Sequence, residues 1–365
     1  MTITIKNLTE KYQDEWKVVG SYVSTMFKGE EPKRNFPISE KENIVKVLKG
    51  EKPMYLPDMT GMTALSPRVI KDHVVRSFVM EAEPMVCVAE GAGGKDMFGV
   101  EWEFIPVTGG AMVKPGNPLI PDITKWEEYV TFPDISTFGW EESAKANAHI
   151  FSEDRLVRTW IMNGLNERII SFMDFDKVMI AYVDEDEKEG VHRLFDKLCD
   201  FYDELIDYLH KYLKTDVIMF NDDWGTQRAP QFSNATAREM LVPYIRRLVE
   251  SCHKRGMYFE LHSCGKNETL VPVFIEAGID IWAPQEVIND FDVLFETAAN
   301  DILIGIPTDS TPKNTDEEAF EIAKEYVEKY AKTGKKVMLN ITFPVQHPRI
   351  AEFVYYLSRE KFANE

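Results

Sequence analysis

The 365-residue chain has little of what marks several large classes of protein. Its four cysteines make no disulfide framework, so a reducing compartment is expected. No apolar run approaches the roughly 20 residues of a membrane-spanning helix. The opening stretch MTITIKNLTEKYQDEW is polar and has no apolar signal region. Basic residues are scarce: 42 against 61 acidic ones leave a formal net charge of −19, and no basic patch offsets it. A polyanion would be repelled, which argues against nucleic acid, and anionic membrane surfaces are disfavoured for the same reason. There is no repeat, no low-complexity tract, no nucleophile elbow, no kinase set and no HExxH. GAGG at 91–94 lacks both the GxGxxG pattern and the lysine context of a phosphate loop. What remains is a chain with 7 Trp, 14 Tyr and 22 Phe, 44% hydrophobic, able to bury a large core. A cytoplasmic enzyme is the expectation.

The patterning divides the chain into two parts. Residues 1–50 read as a polar, helical extension, in which Ser39 and Glu42 cap a helix that Gly50 ends. Residues 51–365 read as one barrel domain. Within it, 84–135 is an excursion rich in Gly and Pro, with short β-like pieces at Met85–Ala89, Val100–Ile105 and Ala111–Val113. PMYLP at 53–57 and Val178–Val183 read as strands. So do Asp216–Phe220, MYFELH at 257–262, Ile279–Trp282, Ile302–Ile306 and Lys336–Ile341. Between them lie helical patterns, the longest at 188–214 with Val191, Leu194, Phe195, Leu198, Leu205 and Leu209 on one face. Strand and helix in alternation predict a parallel sheet, and at this length a TIM-type (β/α)8 barrel. Chemistry then belongs to the residues that follow each strand.

Four such segments carry candidate groups. In ELHSCGK, 260–266, Glu260, His262 and Cys264 alternate, so an extended backbone turns all three to one face. A His and a Cys two apart at a strand end suit zinc or a similar divalent ion. A catalytic zinc needs a third protein ligand; Glu260, Asp222, Asp223, Glu286 and His347 are the candidates. The bland alternative is a hydrogen-bonded His beside an inert Cys. NDDWGTQRAP, 221–230, offers two carboxylates, Trp224 and Gln227 after a strand, where Asp can equally be a cap. WAPQEV, 282–287, offers Trp282, Gln285 and Glu286. In GLNERI, 164–169, Glu167 and Arg168 read as a structural ion pair.

Taken together, DDWGTQ at 222–227, APQFS at 229–233, HSCGK at 262–266 and EAGIDIWAPQ at 276–285 resemble the uroporphyrinogen decarboxylase superfamily over roughly residues 85–345. DMFGVEWEF at 96–104 and DITKWEEYVTFPDI at 122–135 resemble its corrinoid-dependent methyltransferase branch, and within it the enzymes that demethylate methyl aryl ethers of the veratrole or vanillate type. The arginine-rich motif with which the decarboxylase grips tetrapyrrole carboxylates has no counterpart in MYLPDMTGMTALSPR. The resemblance implies transfer of a methyl group from a methoxylated aromatic to the Co(I) of a separate corrinoid protein. It implies zinc on His262 and Cys264, Glu260 or Asp223 as an acid, and Trp224, Gln227, Trp282 and Gln285 around the substrate. The branch's usual later cysteine is missing from VMLNITFPV, 337–345. Transfer from methylcorrinoid to a thiol, a decarboxylase-like activity and a non-catalytic corrinoid-protein partner are the alternatives.

Overall fold

The computed structural model describes residues 3–26, 29–83, 92–107, 110–341 and 345–365. The helix Ile5–Trp16 is followed by an antiparallel hairpin of β1 (Val18–Val23) and β2 (Glu30–Arg34), then by the helix Glu40–Leu48. The expected run of helix over 1–50 is thus broken by a hairpin. Ser39 caps the second helix by accepting from the Glu42 amide at 3.1 Å, and Gly50 follows it with φ +70°.

The barrel begins at β3 (Met62–Leu65). The excursion supplies a three-stranded antiparallel sheet of β4 (Gly94–Lys95), β5 (Glu101–Ile105) and β6 (Gly110–Val113). The expected piece at Met85–Ala89 lies outside the described residues. The wall then continues through β7 (Leu156–Ile161), β8 (Val217–Asn221), β9 (Tyr258–Ser263), β10 (Ile281–Pro284), β11 (Leu303–Ile306) and β12 (Val337–Leu339). Together with β3 these strands form one parallel sheet in chain order, β3-β7-β8-β9-β10-β11-β12. Its two edges meet where Leu339 N donates to Pro57 O at 2.8 Å and Asp58 bridges Leu339. The result is a TIM-type barrel with seven sheet strands among the described residues, where eight were expected. Residues 53–57 form no strand; they lead into that closing contact.

Two strand assignments differ from the sequence reading. Residues 178–183 belong to the end of the helix Phe175–Ala181 and the turn after it. The wall strand in this part of the chain is LVRTWI, 156–161, with all six residues buried. Its alternation hides a charge: Arg158 points inward with Leu156 and Trp160, so the run shows neither a clean apolar stretch nor a polar alternation.

Registers across the sheet sort the inward side chains into levels. Met62, Leu156, Val217, Ile281, Leu303 and Met338 form an apolar floor, and Ile44, Val47 and Leu48 of the helix Glu40–Leu48 plug it from outside. Above it Arg158 meets Glu260, and Ala64, Trp160, Met162 and Met219 line the wall with Met80. The outward residues, such as Phe220, Phe259 and Ile304, pack on the surrounding helices, including Lys188–Leu213.

The excursion is held down by charge. Arg168, in the helix Leu165–Met173, has no exposed surface and is ion-paired to Asp72 and, at 2.7 Å, to Asp96. Asp96 also accepts from the amides of Phe98 and Val100 at 2.9 Å and from Trp102 Nε1 at 3.0 Å. That set explains DMFGVEW. Arg168 does not pair with Glu167, as GLNERI had suggested. Truncation of Arg168 leaves two buried carboxylates unpaired, which costs about 3–5 kcal/mol. Arg168→Ala is therefore expected to lower the unfolding free energy by about that amount in denaturant titration; a change below about 1 kcal/mol would show that the cluster does not anchor the excursion.

Candidate metal centre at the barrel mouth

β9 carries Glu260 and His262 into the interior, and the chain leaves the strand at Cys264. His262 Nδ1 lies 3.0 Å from the carbonyl oxygen of Ala283 on β10. A carbonyl only accepts, so Nδ1 carries a proton and Nε2 is the ring nitrogen left to meet a ligand. Nε2 faces Cys264 Sγ at 3.3 Å and Asp223 Oδ1 at 4.0 Å.

Asp223 arrives from the loop after β8. Two glycines allow the approach. Gly265 has φ +96°, and a Cβ on it would lie 2.3 Å from the carbonyl carbon of Gly225. A Cβ on Gly225 would in turn meet Cys264 O at 2.8 Å. The loops of DDWGT and HSCGK therefore stack backbone on backbone. They are then tied by Lys266 N to Thr226 O at 2.8 Å, Trp224 N to Ser263 Oγ at 2.8 Å, and Cys264 N to Asp223 Oδ1 at 2.7 Å. Two asparagines that the sequence reading missed lock the far side. Asn267 Nδ2 donates to Cys264 O at 2.8 Å, and Asn289 Nδ2 donates to Gly265 O at 3.0 Å and Gln285 O at 2.8 Å. Their signal was slight: two Asn in separate loops, either of which reads as an ordinary turn residue.

Asp223, His262 and Cys264 each offer one donor atom, and the three atoms lie within 4.8 Å of one another. All three side chains are partly exposed at the mouth. Tetrahedral zinc with bonds of 2.0–2.3 Å sets its ligands about 3.5 Å apart. The spacings of 3.3 and 4.0 Å bracket that value. The donor set of one nitrogen, one sulfur and one carboxylate oxygen fits zinc and leaves a fourth position open. Burial pushes the Cys264 thiol up to about 12, and the charges of Asp223 and Glu167 add to the shift. Without a cation nearby this sulfur is a thiol.

The other candidates fall in different places. Asp222 is fully buried and accepts from the amides of Asn166 and Glu167 at 3.2 and 2.8 Å and from Trp224 Nε1 at 2.8 Å. It caps the helix Leu165–Met173, and burial raises its carboxyl to about 7 despite those donors. Glu260 has no exposed surface and is held by Arg158 Nε at 2.5 Å and Arg158 Nη2, so it is a paired carboxylate below the mouth and not a free acid. Trp224 and Trp282 are corrections of the same kind. Both are fully buried in the layer between wall and helices, packed on Phe274, and present no face to a ligand. Gln227 and Gln285 do meet at the mouth: Gln227 Nε2 donates to Gln285 Oε1 at 3.2 Å, and the same oxygen takes Gly265 N at 2.9 Å. Glu286 accepts from Asn340 Nδ2 at 2.9 Å, and His347 is buried beside Asp316.

Glu167 was read as a structural partner and sits at the centre's edge. Its Oε2 accepts from Asn221 Nδ2 at 2.8 Å, and Asn221 is the register partner of His262. Burial raises its carboxyl; Arg76 opposes that shift and Asp223 adds to it.

Among the described residues no helix is long and apolar enough to cross a membrane. No curated protein matches the sequence. The family profile described as Uroporphyrinogen decarboxylase (URO-D) matches residues 169–346, just under half of the chain. Among solved structures, a methyltransferase from Methanosarcina mazei is 15% identical, with a TM-score of 0.55 over 89% of this chain and 99% of its own; at that identity the likeness is one of fold. A sugar phosphate isomerase/epimerase from Parabacteroides distasonis is 14% identical over 66% of this chain and 81% of its own, with a TM-score of 0.33, too low to carry an argument. Over residues 169–346 the chain is similar to the uroporphyrinogen decarboxylase family, and it has a barrel fold in common with the Methanosarcina methyltransferase.

Proposed function

We propose that this protein is a methyltransferase that moves the methyl group of a methoxylated aromatic to the Co(I) of a separate corrinoid protein. The observation that carries the reading is the convergence of Asp223, His262 and Cys264 at the barrel mouth, with His262 Nε2 turned toward the other two. The methyltransferase fold-mate from Methanosarcina mazei supports it.

The lining beneath the three residues favours an aromatic ether over a poly-carboxylated substrate. Trp160, Met162, Met80 and Met219 form the wall there, with Phe78 packed on Trp160 at 5.8 Å between ring centres. Such a surface takes an uncharged ring through dispersion and sulfur–aromatic contacts. Arg158 is bound to Glu260, and Arg76 to Asn163 and Glu167, so neither guanidinium is spare for a substrate carboxylate. A decarboxylase acting on a tetrapyrrole with eight carboxylates is poorly served by such a site.

Zinc fits the donor set, held by Asp223, His262 and Cys264, and would supply a Lewis acid for the ether oxygen at the open position. The protein's own residues do the positioning. Ala283 O holds the His262 ring by Nδ1, the Cys264 amide fixes Asp223, and the Asn267 and Asn289 amides hold the Cys264 loop. The methyl group points out of the mouth, where a corrinoid can reach it in line. An oxygen donor in place of a second thiolate is harder and less electron-releasing, which suits activation of an ether more than of a thiol. Co(I) requires strongly reducing surroundings, so the reading includes a cytoplasmic location.

Purified protein is expected to hold about one zinc per chain by elemental analysis, as a three-ligand site with an open fourth position requires. Cys264→Ala and His262→Ala should each lose it. With reduced cobalamin as the probe, the wild type should convert methoxyarenes to phenols and Co(I) to methyl–Co(III), followed by visible absorbance. Asp223→Asn should lower kcat by about 10²-fold or more, in keeping with the loss of a charge-stabilising group. Full activity in protein stripped of metal would sink the metal's role, and no demethylation of any methoxyarene would sink the methyl-transfer reading.

A further inference from the structure

A phenolate leaving an apolar pocket is costly, and a proton delivered to the departing oxygen removes that cost. The carboxylates near the centre differ sharply in how firmly they are tied. Asp222 takes three donors as a helix cap, and Glu260 is gripped by two nitrogens of Arg158. Glu167 is tied on one side. Among the described residues, Asn221 holds Oε2 at 2.8 Å, whereas Oε1 has only Arg76 Nη1 at 3.4 Å. That guanidinium is itself bonded to Asn163 and lies over the Trp102 ring at 4.8 Å. The Glu167 side chain keeps 15% of its surface open. It is set in the first turn of the helix Leu165–Met173, whose start is pinned beside the centre by Asp222. Its anchor Asn221 stands directly across from His262 in the sheet.

We propose that Glu167 is the catalytic acid of the methyl transfer, giving a proton from Oε1 to the ether oxygen as the carbon–oxygen bond breaks. The inference rests on the methyl-transfer reading above. The electron pair of Co(I) forms the cobalt–carbon bond, the carbon–oxygen pair stays on oxygen, and the Glu167 proton completes the phenol. The products are methyl–Co(III), a neutral phenol and the Glu167 carboxylate, which recovers its proton from water. Burial favours the protonated carboxyl that the step needs, against the opposing charge of Arg76.

The test compares two ethers with reduced cobalamin as acceptor: anisole, whose phenolate leaves poorly, and 4-methoxybenzonitrile, whose phenolate leaves well. Glu167→Gln keeps the size of the side chain and removes the proton. It should lower kcat on anisole by about 10²–10³-fold, and on the nitrile by less than about 10-fold, because general acid catalysis matters most for the poorer leaving group. Zinc content in the variant should equal that of the wild type. The wild type should also show a normal solvent deuterium isotope effect on anisole, absent in the variant. An equal loss on both ethers, or none, would overturn the acid role and leave Glu167 structural. The isotope effect decides the matter if the variant does not fold: its absence in the wild type overturns the proposal. A wild type inactive on every methoxyarene overturns the methyl-transfer reading and this role with it, whereas an active wild type with an unaffected variant overturns the acid alone.

Discussion

A single buried guanidinium links the parts of this molecule that do not follow from the barrel itself. Arg168 neutralises Asp72, from the segment after β3, and Asp96, from the excursion, with no access to water. Burial drives the Asp72 carboxyl upward and the guanidinium pulls against it, so the three groups are stable only as a set. The same helix carries Glu167 one residue earlier, and Asp222 caps its first turn from the β8 loop. The excursion, the helix and the mouth of the barrel are thus oriented by one connected set of charges. Sheet hydrogen bonds alone would position the strand ends. They would not position a helix start or a loop-borne antiparallel sheet beside them.

The mouth itself is built by alternation and close approach. Strand periodicity turns Glu260 and His262 inward and puts different chemistry at each level: the Arg158–Glu260 pair below, imidazole and thiol above. The carboxylate completing the group is not on that strand. It comes from the neighbouring loop because Gly225 and Gly265 let two backbones touch, and any side chain at either would wedge Asp223 away from Cys264. The positions of these candidate ligands depend on residues that have no side chain to offer.

The sequence was a good guide where one periodicity ruled and a poor one where two requirements overlapped. The placement of His262 and Cys264 together at the end of β9 was readable because strand alternation rules there, and the strand-helix rhythm disclosed the parallel wall. Asp223 stood among five candidate third ligands, since nothing local distinguishes the Asp that joins His262 and Cys264 from the adjacent cap Asp222; the glycine contact separates them. LVRTWI escaped notice because the interior of this barrel is partly ionic, so a buried strand carries an arginine. VMIAYV at 178–183 is the converse case, a β-rich run made helical by its packing, with Val178 and Ala181 buried and Ile180 exposed. Trp224 follows β8 and Trp282 lies within β10 in register with the outward Leu261 and Ile304, so both face the helical layer. A position after a strand does not fix the side a residue faces once the strand has ended.

The net charge of −19 and the interior carboxylates pose a common problem, and the fold meets each case by a different device. Asp72 and Asp96 share Arg168, Glu260 has Arg158, and Asp222 has two backbone amides and an indole. Each device fixes a carboxylate by engaging its oxygens with donors, which leaves them poorly placed to meet a ligand. Asp223 and Glu167 are treated otherwise. Asp223 receives one amide, and Glu167 one side-chain amide with a distant, already engaged arginine. Their side chains also stay partly open, 31% for Asp223 and 15% for Glu167, against none for Asp72, Asp96 and Glu260. Glu167 and Asp223 lie past the C-terminal ends of β7 and β8, beside the imidazole and thiol of β9, which is the place the proposed function assigns to a cation and a proton.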